Sequence, residues 1–346
     1  MLIDTYLLYK VKNILKFGVF SVIIFFVIIQ FLIGNGYTFP KALFSLFYGL
    51  SIGAIYEGTN TASFYRKSFI SRNLLRIVLL IMSILVIITI LQFFFVDFLG
   101  KEDLHPLEII FSKNFISIFI EIFIITFFIV FFIELEKHLG DHFIFNFFFS
   151  KYKKPIEENR VIMFLDLKDS TSIAEIIGNK AFVSFINYCY RIMAKSVIKN
   201  KATILKYVGD EVILTWDERK GIKHNNCIHM YYDFFDELEK HKNDFIERYG
   251  IFPVFKAGLH SGEVTAAFLG SIKKQMDYSG DVMNTTARIQ GVCNQYDANM
   301  LISSELASLL PDTEDFVYSE IGEVQFKGKA EKFPIKKVQR IYYKKH

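Results

Sequence analysis

The chain has 346 residues with a formal net charge of +4, and 52% of them are hydrophobic, including 39 Phe. This composition is too apolar for an ordinary soluble protein of that length. No basic stretch interleaved with aromatic residues occurs, so nucleic acid is excluded as the expected partner. The three cysteines lack the spacing of a metal site and fit a reducing cytosol.

Apolar residues are concentrated in the first half of the chain, and the runs are long enough to cross a lipid bilayer. Basic residues precede the first run and follow the last, whereas the connection 96–114 is acid-rich. By the positive-inside rule, we expect residues 1–133 to form an α-helical membrane domain of four transmembrane helices in the cell membrane, with both termini cytosolic. A cleaved signal peptide is the competing interpretation of the first run. The predicted spans are residues 14–33, 38–56, 77–96 and 115–133, of which the second is the weakest.

The fourth predicted span contains an ionisable residue, Glu121. A charged side chain inside a membrane is costly and usually serves a function, such as burial in a helix interface. A position near the lipid headgroups is the alternative explanation.

Residues 134–159 are amphipathic and aromatic, and we interpret them as a linker that leaves the bilayer along the headgroups. Residues 160–346 then alternate between strand-like and helix-like patterns. Their order of β, α, β, β, α, β predicts an α+β ferredoxin-like domain. Strands are expected at 161–165, 202–208, 212–216, 254–260, 263–269, near Met300 and Val317, and at 335–341, with helices at 171–199, at 225–249 and after Gly280.

Two acids stand where apolar strands end. Asp166 closes the first strand, and Ser172-x-x-Glu175 after it is typical of a helix start, whose free N–H groups can bind phosphate. Asp210 follows Gly209 at the tip of a predicted hairpin. In a ferredoxin-like sheet these strands are neighbours, so the two carboxylates could converge on metal ions such as Mg²⁺. A helix-capping acid and a solvated hairpin tip are the alternative interpretations.

A third polar group follows the turn at Gly280. Asn284 and Arg288 are four residues apart and share one face of a predicted helix. An amide and a guanidinium projecting together can orient a ribose and neutralise charge on a phosphate. A surface helix can show the same spacing.

Together, "FLDLKDST", "KYVGDE" and "DYSGDVMNTTAR" resemble, in order, the motifs of the class III nucleotidyl cyclase catalytic domain, the family of adenylyl and guanylyl cyclases. The resemblance covers roughly residues 160–341. It implies a head-to-tail homodimer in which the metal pair and the base-selecting pair of one active site come from different subunits. The implied roles are two Mg²⁺ (or Mn²⁺) ions at Asp166 and Asp210, adenine selection by Lys206 and Asp277, ribose orientation by Asn284, α-phosphate stabilisation by Arg288, and outer-phosphate contact by Lys327, with Lys329 as its competitor.

The chain departs from the family pattern at Asp169, where a Gly is usual, and the extra acid either weakens nucleotide binding or faces solvent as part of a helix cap. Tyr278 or Ser279 is an alternative to Asp277 opposite the base. We expect a membrane-anchored adenylyl cyclase that converts ATP to 3′,5′-cyclic AMP and pyrophosphate. The alternatives are a guanylyl cyclase and a membrane sensor with a catalytically silent nucleotide-binding domain.

Overall fold

A computed structural model of the chain describes residues 5–28, 39–59, 69–92, 152, 154–270, 275–325 and 332–341. The chain divides into two compact units, residues 1–139 and 140–346. The fourth predicted span with Glu121, most of the predicted linker, and the segment with Lys327 and Lys329 lie outside the described residues.

The first unit contains three described helices that overlap the first three predicted apolar spans: α1 (Thr5–Ile28), α2 (Phe39–Thr59) and α3 (Phe69–Gln92). Across the stretches of this unit and of the second that are described, no helix reaches the length and apolarity of a membrane span. The four transmembrane helices therefore stay a prediction.

Helices α1 and α2 pack at close range because small residues line their contact. A Cβ atom on Gly49 would lie 2.6 Å from the carbonyl oxygen of Phe17, and one on Gly53 would lie 2.9 Å from the Cα of Ile14. The Ser21 hydroxyl donates to the Ser45 carbonyl oxygen at 2.6 Å across the same contact. Small residues at helix contacts allow this approach of the two backbones.

The second unit is built on a mixed eight-stranded sheet with the order β2-β3-β1-β4-β6-β8-β7, in which β5 pairs with β4. Its first four strands and their intervening helices follow the predicted β, α, β, β, α, β order. The strands are β1 (Ile156–Leu167), β2 (Thr203–Val208), β3 (Glu211–Asp217), β4 (Phe255–Leu269), β5 (Gln275–Ser279), β6 (Met300–Ser303), β7 (Phe316–Gln325) and β8 (Lys332–Arg340). The helices are α4 (Ser170–Ile177), α5 (Asn179–Lys199), α6 (Glu218–Ile222), α7 (Asn226–Lys240), α8 (Lys242–Tyr249), α9 (Asp281–Gly291) and α10 (Ser304–Leu309).

The larger core lies between one face of the sheet and helices α5 and α7. On α5, Phe185, Cys189 and Met193 recur every four residues and are fully buried, which is the pattern of a helix that covers a sheet. They pack with Trp216 of β3 and Phe234 of α7. Burial of each such side chain contributes about 1.5–3 kcal/mol to folding. The three cysteines are buried free thiols.

The opposite face of the sheet carries a smaller cluster that includes Ile162, Phe164, Ile213 and Tyr278. Because side chains alternate across a strand, Asp166 of β1 and Glu211 of β3 point to this same face. Helix α9 covers it. The polar groups of interest thus share one side of the sheet with a helix.

Several predicted boundaries are corrected by the structure. Strand β1 begins at Ile156, so residues 156–159 of the predicted linker belong to the sheet and pair with β4 at Glu263–Ala266. Three of these four residues are polar, so the sequence did not indicate a strand here. The strands predicted at 254–260 and 263–269 are one continuous strand, β4. The helix predicted at 171–199 is broken at Gly178, and Asp169, not Ser172, is the N-cap of α4.

Candidate active site

Two carboxylates meet at one end of the sheet. Asp166 is the penultimate residue of β1, and Asp210 lies in the turn between β2 and β3, directly before the Asp166 partner Glu211 in the antiparallel register. The side chains of Asp166 and Asp210 are close enough for the charge of Asp210 to act on Asp166. Burial, followed by the neighbouring charge of Asp210, raises the pKa of Asp166 to about 6.

A third acid, Glu211, lies near the carboxylates of Asp166 and Asp210. Burial and then the charges of Asp166 and Asp210 raise the pKa of Glu211 to about 7, against an opposing effect of Lys206. Where the chain is described, no group of three or more His, Cys, Asp or Glu side chains is arranged to bind a metal by itself. A pair of facing carboxylates nevertheless fits Mg²⁺, because that ion takes one or two protein carboxylates and completes its shell with water and substrate phosphates.

The Asp166 carboxylate is also held from α9. The side-chain amide of Gln290 donates to Asp166 Oδ2 at 3.3 Å. This contact opposes the burial effect on the Asp166 pKa and fixes the orientation of the carboxylate.

Lys206 and Asp277 form an ion pair. The Lys206 ammonium donates to both carboxylate oxygens of Asp277 at 3.0 Å, with each side chain about three-quarters buried. A β-bulge precedes Lys206, so that it pairs with Ile213 instead of Val212. Because Ile213 faces the smaller cluster, the bulge turns Lys206 to the side of the sheet that carries the acids.

Tyr278 and Ser279, the two residues that follow Asp277, have different surroundings. The hydroxyl of Tyr278 accepts a hydrogen bond from the Arg160 guanidinium, and its ring is buried in the smaller cluster. Ser279 is exposed and ends β5. Of the three alternatives raised by the sequence, only Asp277 contacts Lys206 in the described structure.

Helix α9 lies directly on β4 because two glycines leave room for it. A Cβ atom on Gly258 would be 2.3 Å from the backbone nitrogen of Gln290, and one on Gly262 would be 2.8 Å from Val282 Cγ2. The buried residues of the helix are Val282, Thr285, Thr286 and Ile289.

Asn284 and Arg288 lie on the other side of α9. At 100° per residue both are turned more than a right angle away from the buried stripe. Asn284 is exposed and Arg288 half-buried. The structure therefore brings Gln290 to Asp166 of its own chain but directs Asn284 and Arg288 away from it.

Asp169 has its side chain in solvent, 65% exposed, with Lys168 Nζ 4.0 Å away. Its backbone is left-handed, with φ of 57° and ψ of 31°, and its side chain makes no cap hydrogen bond. A left-handed position explains why a Gly is usual here. Of the two interpretations of this acid, the structure favours the solvent-facing one.

Residues 152–343, more than half of the chain, match the family described as the adenylate and guanylate cyclase catalytic domain. The chain belongs to this family. Its cyclase domain therefore coincides with the second structural unit, and the predicted resemblance is confirmed at the level of the family.

The cyclase domain is similar to curated relatives. It is 32% identical over 185 residues to adenylate cyclase 2 of Rhizobium meliloti (strain 1021), covering 54% of this chain and 51% of that one. It is 25% identical over 181 residues to an adenylate cyclase of Anabaena cylindrica, covering 51% and 36%. The match thus spans about half or less of the length of these relatives.

Among solved structures, the adenylyl cyclase CyaB from P. aeruginosa is 19% identical, with a TM-score of 0.48, covering 54% of this chain and 96% of that one.

Sequence reasoning missed the roles of Gln290 and Glu211 in this site. Glu211 directly follows Asp210, and its opposition to Asp166 could be read only from the strand register. Gln290 follows Arg288 by two residues and falls on a different side of α9, which the motif spacing alone does not reveal.

Proposed function

We propose that the chain is a membrane-anchored adenylyl cyclase that converts ATP to 3′,5′-cyclic AMP and pyrophosphate at sites shared by two subunits. The observation that carries this proposal is the segregation of the polar groups. One chain presents a facing carboxylate pair, a Lys–Asp ion pair and, on the outward side of α9, Asn284 and Arg288.

Asp166 and Asp210 would hold two divalent ions, Mg²⁺ or Mn²⁺. When bound, such ions neutralise phosphate charge and lower the pKa of the attacking hydroxyl group. Gln290 orients Asp166 for this role through its amide hydrogen bond.

Lys206 and Asp277 recognise adenine by complementary hydrogen bonding. The ammonium has three donors and the carboxylate several acceptor positions, so both retain capacity while they contact each other. Lys206 donates to a ring nitrogen, and Asp277 accepts from the exocyclic amine. Guanine presents a carbonyl oxygen in place of that amine and repels Asp277, which favours ATP over GTP.

Asn284 and Arg288 act on the sugar and the α-phosphate. Asn284 orients the ribose so that its 3′-hydroxyl is in line with the bond to the leaving pyrophosphate. Arg288 stabilises the negative charge that grows on the α-phosphate oxygens, an effect typically worth about 3–4 kcal/mol for one donor. Lys327, which the structure does not describe, is proposed to contact the outer phosphates, with Lys329 as its alternative.

The direction of α9 supports the proposed homodimer. Because Asn284 and Arg288 point away from the Asp166 of their own chain, they are available to the carboxylate pair of a second copy. Two head-to-tail subunits would then form two equivalent sites.

The N-terminal unit is proposed to anchor this dimer in the lipid bilayer, with the cyclase domain cytosolic. Support comes from the apolar runs with flanking lysines and arginines. Fractionation of cells tests it: the protein should remain with membranes after an alkaline wash, and recovery in the supernatant would contradict it.

The activity is tested with purified full-length protein given ATP or GTP with Mg²⁺ or Mn²⁺. We expect cyclic AMP from ATP and its loss in Asp210→Ala. Asp312→Ala, which removes an exposed acid before β7, is the matched control and should retain activity. Cyclic GMP as the main product would favour the guanylyl cyclase, and nucleotide binding without product would favour the silent sensor.

A further inference from the structure

A series of hydrogen bonds runs from the start of the cyclase domain to the side chain of Tyr278, whose backbone N–H contacts Asp277. The Tyr152 hydroxyl donates to Glu158 Oε1 at 3.0 Å. Arg160 Nε donates to Glu158 Oε2 at 3.0 Å, and Arg160 Nη2 donates to the Tyr278 hydroxyl. The Tyr278 backbone N–H then donates to Asp277 Oδ1 at 2.9 Å.

The series is shielded from water. Tyr152 and Tyr278 are 5% and 8% exposed and belong to the same buried cluster. The Arg160 and Glu158 side chains are 15% and 17% exposed. Hydrogen bonds that involve ionised groups are stronger than neutral ones, and low solvent access strengthens them further.

Strand β5, which carries Asp277, contacts β1 through this series. It has five residues and, in the described sheet, pairs with β4 alone. The Arg160 guanidinium lies 5.0 Å from the centre of the Tyr278 ring in addition to its hydrogen bond, so β5 is attached to β1 across the sheet face. Asp277 directly precedes Tyr278 in this strand.

We propose that Arg160 and Tyr278 are positioning residues for Asp277, so that the choice of nucleotide base depends on a contact made by β1. Tyr152 extends this dependence to the segment that enters the cyclase domain. The inference rests on the proposed function, because it assigns these residues to adenine selection at the same site.

The test is Tyr278→Phe, which keeps the buried ring and removes the hydroxyl. We expect the Kd and KM for ATP to rise about three- to tenfold and the preference for ATP over GTP to fall by a similar factor, with kcat within about twofold, since a hydrogen bond to a charged group is lost away from the reacting atoms. Tyr152→Phe should act in the same direction with a smaller effect.

Tyr318→Phe is the matched control. The Tyr318 hydroxyl is buried and has no hydrogen-bond partner in the described structure, so its removal should leave both nucleotide affinities unchanged. Arg160→Lys is a second variant that keeps the positive charge but replaces the two guanidinium nitrogens that contact Glu158 and Tyr278 with a single nitrogen. If Tyr278→Phe does not fold by circular dichroism, Arg160→Lys decides.

Measurements of nucleotide binding and of turnover distinguish a failure of the proposed cyclase activity from a failure of the positioning role. A wild-type protein that binds ATP in preference to GTP but makes no cyclic AMP overturns the proposed activity, while the binding preference still tests the positioning role. An ATP preference that is unchanged in both Tyr278→Phe and Arg160→Lys overturns the positioning role. So does a wild-type protein without any binding preference between the two nucleotides.

Discussion

Asp166 is the residue in which burial and neighbouring charge act most directly on the proposed chemistry. Its carboxyl group titrates near 3.8 in the unfolded chain and at about 6 in the fold. Between these values the folded protein binds more protons than the unfolded chain. The free energy of unfolding therefore falls as pH rises from about 4 to about 6, and this loss is complete above that range.

A bound divalent ion reverses this loss, which gives a pH-dependent prediction. Ion binding requires the ionised carboxylate, so the increase in Tm caused by excess Mg²⁺ or Mn²⁺ should be small near pH 5 and large near pH 7.5. Thermal unfolding with and without the ion measures it. Asp166→Asn should abolish the increase and Asp312→Asn should preserve it; an increase independent of pH would contradict the assignment.

Asp169 provides a prediction about backbone strain. Its φ of 57° is unfavourable for a residue with a Cβ atom, so Asp169→Gly should raise the free energy of unfolding by up to about 1 kcal/mol. Activity should be retained, because the side chain is directed into solvent. Urea unfolding measures the first effect.

Asp217 is the matched control for this substitution. It is also an N-cap without a side-chain cap hydrogen bond, but its φ is −53°. Asp217→Gly should therefore lower stability, because it adds only chain entropy to the unfolded state. Equal effects of the two substitutions would show that the left-handed backbone is not the cause.

At the scale of elements, the contact of α9 with β4 sets the position of Asn284, Arg288 and Gln290. Gly258→Ala would place a methyl group 2.3 Å from the Gln290 nitrogen and 2.7 Å from its Cα, so the helix must move. We expect a loss of about 1–3 kcal/mol in the free energy of unfolding. Cyclase activity should fall by about a hundredfold, because small displacements of catalytic groups are costly.

Gly291→Ala on the same helix is the control. A Cβ atom there meets nothing within 4 Å among the described atoms, so stability and activity should stay near the wild-type values. Full activity of Gly258→Ala would show that the placement of α9 is not critical. Both variants are compared by urea unfolding and initial rates.

Much of this layout could be predicted from the sequence, because β2, β3 and β6 are short apolar runs and α9 follows Gly280 and ends at Gly291. The continuity of β4 could not, since Gly262 resembles a turn in sequence and serves in the structure to admit Val282 of α9. The bulge before Lys206 depends on pairing with β3. For the site, the motif residues were identifiable, whereas Arg160 and Gln290 became relevant only through contacts distant in sequence.

For the whole molecule, the proposed division of the site between subunits predicts complementation. Asp210→Ala and Arg288→Ala should each be inactive alone. In a mixed dimer, one of the two sites combines an intact carboxylate pair with an intact Arg288, so random mixing should restore about one quarter of wild-type activity. Cyclic AMP formation after co-expression of the two variants measures it.

Co-expression of Asp210→Ala with Asp166→Asn is the control, because both substitutions affect the same half of the site. No subunit of a mixed dimer then has both Asp166 and Asp210, so these dimers should remain inactive. Activity that returns in this pair, or that fails to return in the first, would contradict a site shared between subunits.

The uninterrupted strand β4 also has a kinetic consequence. It lies beside Asp166 at Lys256 and beside Asp277 at Ala267, so one extended segment of about 36 Å joins the carboxylate pair to the residue proposed to recognise the base. In the proposed dimer these two ends serve different nucleotides. We therefore expect the two catalytic cycles to be coupled, with ATP saturation curves that depart from a hyperbola and a Hill coefficient different from one.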